Sequence, residues 1–87
     1  MNTARRKEIE LALDALSEAR TRLEDVMNEE QESLDNLPDS LRESDQGEVM
    51  EGNVSDLDAA IYSVGDAEGL LHEVKESVTG LPIGESV

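Results

Sequence analysis

Met50, Leu57, Val64, Leu71 and Val78 stand seven residues apart without exception. A seven-residue apolar repeat returns to nearly the same face of an α-helix every two turns, so this half of the chain reads as helix. Val54 and Ile61 flank the row early, and Ala67 and Val74 flank it late, so the apolar stripe drifts around the helix. Upstream, Ile9, Ala12, Leu16, Ala19, Leu23 and Val26 recur in alternating steps of three and four, a coiled-coil-like seam. Continuing that register leads to Glu30 and Ser33, whereas Met27, Leu34 and Leu41 form a fresh seven-residue series that joins at Leu23 by a step of four. Such an inserted step is a stutter, which locally unwinds a supercoil.

The breaks divide the chain. Pro38 lacks a backbone donor and disfavours helical angles at Leu37, so the first helix stops near Asn36. Ser40 with Glu43, and Ser55 with Asp58, each match a helix-capping pattern, so the second helix starts either soon after the proline or only near residue 56. Gly47 and Gly52 make residues 44–54 its weakest part. Thr79 and Gly80 end it, with Pro82 just beyond. The expected fold class is all-α: a single domain over residues 1–80, with a helix over about 4–36, a turn over about 37–43, a helix over about 44–79, and a tail over 81–87.

Two helices joined by a short turn pack antiparallel, and two narrow stripes facing each other enclose almost no core. A chain of 87 residues without cysteine has no disulfide to compensate. The expectation is therefore a homodimer of two hairpins in a four-helix bundle. Its seam residues are Ile9, Leu16, Leu23, Met27, Leu34, Met50, Leu57, Ile61, Val64 and Leu71, and pairing also covers the flanks Leu13, Met27 and Leu70. Gly65 and Gly69, four apart, mark close helix approach or weak local helicity.

Charge is distributed very unevenly along this plan. Residues 1–23 carry net +1, residues 24–58 carry −12, and residues 59–87 carry −4, for a total of −15. The thirteen acids of the middle segment are Glu24, Asp25, Glu29, Glu30, Glu32, Asp35, Asp39, Glu43, Asp45, Glu48, Glu51, Asp56 and Asp58, and Arg42 is its one basic residue. Folding at Pro38 gathers them at the turn end, with Arg5, Arg6 and Lys7 at the other. A charge of −15 opposes direct nucleic-acid binding. No apolar run suits a membrane span or a secretory signal, and the expected location is the cytoplasm.

Signals for chemistry are poor. Glu68, His72 and Glu76 are spaced by four, but bundle metal sites want glutamate and histidine three apart, so a solvated histidine among acids is the better reading. One histidine and no cysteine leave no nucleophile, base and orienting group to assemble. Catalysis, a resident metal and a cofactor are not expected.

The run "RRKEIE" (residues 5–10) and the stretch "NEEQESLDNLPDSLRESDQGEVMEG" (residues 28–52), with a D-N-L-P-x-S-L turn and an S-x-x-G-E-x-M-E segment, resemble small acidic helical proteins of tailed phages and prophages. The resemblance covers roughly residues 4–60, and the part with Gly65 and Gly69 departs from it. It implies a viral or prophage origin and an obstructive role toward host machinery, with no activity to carry over residue by residue. Two functions are therefore expected to compete. In one, the acidic end mimics the charge of DNA and occupies a basic nucleic-acid-binding site of a host nuclease or defence complex. In the other, the helices form an assembly module that docks on a viral or cellular partner.

Overall fold

The computed structural model describes residues 2–77; the expected helix end at Thr79 and Gly80, the last heptad position Val78 and the tail lie outside them. Helix α1 spans Thr3–Asp35, a one-turn helix α2 spans Asp39–Arg42, and helix α3 begins at Asp45 and is described to Ser77. The three are helical throughout, and α1 and α3 pack side by side as an antiparallel hairpin. The hairpin is a rod of 65 × 16 × 14 Å with a radius of gyration of 19.4 Å. A globular chain of this length has a radius near ~12 Å, so there is one packing seam and little enclosed interior.

The seam follows a strict four-and-three alternation in both helices. In α1 the inward positions are Ile9, Leu13, Leu16, Arg20, Leu23, Met27, Glu30 and Leu34; in α3 they are Gly47, Met50, Val54, Leu57, Ile61, Val64, Glu68, Leu71 and Lys75. Leu13, Leu34 and Gly47 are buried and the other fourteen are half-buried. The stutter expected after Leu23 is therefore absent. Arg20 and Glu30 hold seam positions that an apolar count skips, while Ala12 and Val26 sit one position to the side and are exposed. Leu41 belongs to α2, also exposed, and Leu13 and Met27 lie in the hairpin's own seam, not on an outer flank. The expected drift of the α3 stripe toward Ala67 and Val74 is absent too, because Glu68 and Lys75 continue the register.

Polar seam residues are tied across the helices. Arg20 Nε donates to Glu68 Oε1 at 2.7 Å, and its Nη2 donates to Oε2 at 3.4 Å, a two-pronged ion pair. The hydrogen bond to Glu68 is the main reason the Arg20 guanidinium holds its proton even more firmly than usual. Lys75 Nζ lies 3.6 Å from Glu10 Oε1, and Asn53 Nδ2 donates to Glu30 Oε2 at 2.9 Å. A sliding apolar seam has many near-equivalent registers, and a polar pair inside it selects one.

The start of α3 corrects both capping expectations. Ser40 lies inside α2, Ser55 lies deep inside α3, and the helix begins at Asp45. Gly47 is required there: a Cβ at this position would stand 1.9 Å from the Arg42 carbonyl oxygen. At Gly65 and Gly69 a Cβ would meet nothing within 4 Å, so these glycines mark no close approach within the hairpin. They only weaken the local helix, each by about 1 kcal/mol against alanine.

The rod has two unlike faces. A residue that precedes a seam position is turned about 100° one way, and a residue that follows one is turned about 100° the other. In an antiparallel pair the preceding positions of both helices share a face. Accordingly Val26, Glu29 and Ser33 line one groove with Asn53 and Asp56, while Glu10 and Asp14 line another, on the opposite face, with His72. The preceding face carries Ala12, Ala15, Ala19, Val26, Val49, Ala60, Ala67, Leu70 and Val74; on the following face Tyr62 is the one large apolar residue among the described positions. Leu70 and Val49 are 63% and 61% exposed.

Candidate functional site: the acidic turn

Residues 35–45 bring the two helices together at the acidic end. Asn36 closes α1, its N–H donating to the Glu32 carbonyl, and the next N–H, that of Leu37, returns to Leu34. Pro38 then opens α2 by accepting from the N–H groups of Leu41 and Arg42. Helix α1 has no basic residue in its last turn, so nothing in the helix itself balances the negative end of its dipole. Arg42 supplies that balance from outside: its Nη2 donates to the Asp35 carbonyl at 2.8 Å and to the Leu34 carbonyl at 3.5 Å. The one cation among thirteen acids is therefore turned inward as a helix cap.

The thirteen acids divide by what the fold does with them. Asp39, Asp45 and Glu48 sit in first turns of helices, where a carboxylate is favoured by the dipole. Glu24 and Glu30 are half-buried, and Glu30 accepts from Asn53. Glu29, Glu32 and Asp35 are exposed toward the C-terminal end of α1, and in its last turn, at Glu32 and Asp35, a negative charge opposes the dipole. Asp35 accepts from Gln31 Nε2 at 2.9 Å, a contact with a neutral group. Asp25, Glu43, Glu51, Asp56 and Asp58 are exposed as well. The ion pairs Lys7–Glu10, Arg20–Glu68, Arg22–Glu18 and Lys75–Glu10 all lie outside residues 24–58. Glu24 stands near enough to Arg20 to help hold its proton, and the other carboxylates of residues 24–58 make none of these ion pairs.

Between the helices at this end lies a groove of about 560 Å³, lined by Val26, Glu29, Glu30, Ser33, Asn53, Asp56 and Leu57. Its floor is apolar and its rim acidic. His72 is exposed on the opposite face, and Glu68 is committed to Arg20 across the seam, so the four-residue spacing of Glu68, His72 and Glu76 does not converge on one point. Among the described residues no group of histidine, aspartate and glutamate is arranged to hold a metal ion, and no helix is long and apolar enough to cross a membrane.

The roles of Arg42, Arg20 with Glu68, and Gly47 are not apparent from apolar spacing. A seam search that admits charged residues at every fourth and third position would find Arg20, Glu30, Glu68 and Lys75. No protein-family model, curated protein or solved structure matches the chain.

Proposed function

We propose that the chain is a non-enzymatic acidic binding protein that, as a homodimer in a host cytoplasm, occupies the basic nucleic-acid-binding site of a host protein such as a nuclease or defence complex. The observation that carries this reading is the placement of Glu29, Glu32 and Asp35. They are exposed, Glu32 and Asp35 oppose the dipole of α1, and Arg42 caps the backbone instead of pairing with them. Residues that cost stability without a compensating contact are where function is to be sought. The density suits the role: residues 24–35 of α1 span only ~18 Å, and duplex DNA carries one charge per ~1.7 Å. The partner presents lysines and arginines in a channel that accepts a rod. The resemblance to small acidic phage proteins agrees with an obstructive role.

The exposed apolar face favours a second reading, an assembly module whose helices dock on a viral or cellular partner. The two are separated by a variant that touches charge alone. With Glu29→Gln, Glu32→Gln and Asp35→Asn combined, the helical circular dichroism is retained and the melting temperature rises, because repulsion near the α1 terminus is relieved. The protein retained from host lysate by the wild type is lost by the triple variant. It also dissociates from the wild type as salt rises from about 50 to about 200 mM, with affinity falling at least about tenfold. Retention of the same protein by the triple variant, indifferent to salt, overturns the charge reading in favour of docking through the apolar face.

A further inference from the structure

We infer that the apolar face carrying Ala12, Ala19, Val26, Val49, Leu70 and Val74 is covered by the same face of a second copy, with the two turns at opposite ends of the dimer. This specifies the surface and orientation of the homodimer named in the proposed function.

The two faces differ in composition at equivalent positions. Preceding the seam stand nine alanine, valine and leucine residues, interrupted by Glu8, Arg22, Glu29, Ser33, Gln46, Asn53, Asp56 and Ser63; following it, Tyr62 is the one large apolar residue among the described positions, beside Glu10, Asp14, Thr21, Asp35, Asp58 and His72. Both faces belong to the same two helices, so helix propensity does not explain the difference. What distinguishes them is suitability for burial. The extents of 65 by 16 Å give the face a footprint of about 1,000 Å². A stable interface buries ~800 Å² per partner, so one face-to-face contact suffices.

Charge chooses the orientation. Stacking two copies with their turns together places two segments of −12 against each other. Reversing one copy places each −12 segment over the other's open end, where residues 1–23 sum to +1 and residues 59–77 to −3. Side-chain size agrees. In the reversed arrangement α1 lies over its own counterpart, centred near Ala19, the midpoint of Thr3–Asp35. Val26 and Ala12 are each seven residues from Ala19, so a valine meets an alanine at both ends of the contact and an alanine meets itself at the centre. That alternation of large and small allows close packing. The symmetry is the self-complementary two-fold kind. Asp25, Glu32, Asp35 and Asp58 lie away from this face and stay exposed at both ends of the dimer.

The chain has no cysteine, so introduced thiols report unambiguously. Sedimentation equilibrium of the unmodified protein at micromolar concentration is expected to give a mass near twice 9.5 kDa. A short thiol-specific cross-linker is expected to join two Ala19→Cys chains efficiently and two Thr21→Cys chains hardly at all. A mass of one chain overturns the dimer, and efficient linking at Thr21→Cys overturns the choice of face. Were the turns together, Ala19 would lie over the partner helix near Ala67, level with the Arg20–Glu68 tie. Linking of Ala19→Cys to Ala67→Cys in mixtures, without linking of Ala19→Cys to itself, overturns the orientation. Each of these failures leaves the charge reading standing, because the acids at the turn are exposed in a single hairpin. Of the positions in the charge-neutral triple variant, Glu32 and Asp35 lie away from this face and Glu29 lies on it, so the Glu32→Gln, Asp35→Asn double variant is the one whose loss of binding does not involve this face.

Discussion

Replacing Leu34 with aspartate is expected to abolish most of the helical signal at 222 nm. Leu34 is one of two apolar side chains buried in the hairpin, at 7% exposure, and it stands at the last turn of α1 where the chain reverses. Removing its packing alone costs about 2–5 kcal/mol. An unpaired carboxylate in its place adds desolvation of several kcal/mol more, and small domains have only about 5–15 kcal/mol to lose. The new charge also enters the most acidic part of the chain, where Arg42 is already engaged with the backbone. Leu11→Asp is the matched control, because Leu11 is 50% exposed outside the seam; it should retain the helical signal. Equal losses in both variants would mean that the seam does not hold the hairpin together.

Reversing one charge of the Arg20–Glu68 pair is the second large effect. Arg20→Glu places two carboxylates opposite each other between the helices, and Glu68→Arg places two guanidiniums there. Each single variant should melt well below the wild type, while the double reversal should regain most of the loss, because the two-pronged geometry works in either direction. Thermal melts of the four proteins form a complete cycle. A double variant no better than the sum of the singles would show that the pair is not coupled and that another contact sets the register.

These two sites also show how far the sequence could be read. The seven-residue row from Met50 onward and the proline at residue 38 were sufficient for two long helices and a reversal, because periodicity and a missing backbone donor act locally. The α1 seam was only half legible. Ile9, Leu16, Leu23, Met27 and Leu34 lie in the seam as expected, but Ala12 and Ala19 imitate the positions that belong to Leu13 and Arg20, and Val26 stands beside Met27. The imitation arises because the flank beside the seam is apolar in its own right. Arg20, Glu30, Glu68 and Lys75 are charged and so suggest solvent, and only the facing helix reveals their partners. The start of α3 depends on Gly47 approaching the Arg42 carbonyl, a tertiary contact that no capping pattern encodes. For the site, the gathering of acids at the turn was visible from charge and the position of Pro38. Which of them lack a structural use was not, since that required the caps, the dipoles and the inward turn of Arg42.

In the proposed function the acidic turn stands where nucleic acid would stand on its partner. The direct measurement is competition: the isolated partner is loaded with labelled duplex DNA at low salt and titrated with the protein while the bound label is followed. The account predicts complete displacement of the DNA, a reciprocal loss of the protein when excess DNA is returned, and no displacement by the Glu29→Gln, Glu32→Gln, Asp35→Asn variant. A stable complex holding both the protein and the DNA at saturation would contradict it and leave the acidic turn a solvated end of a helical bundle.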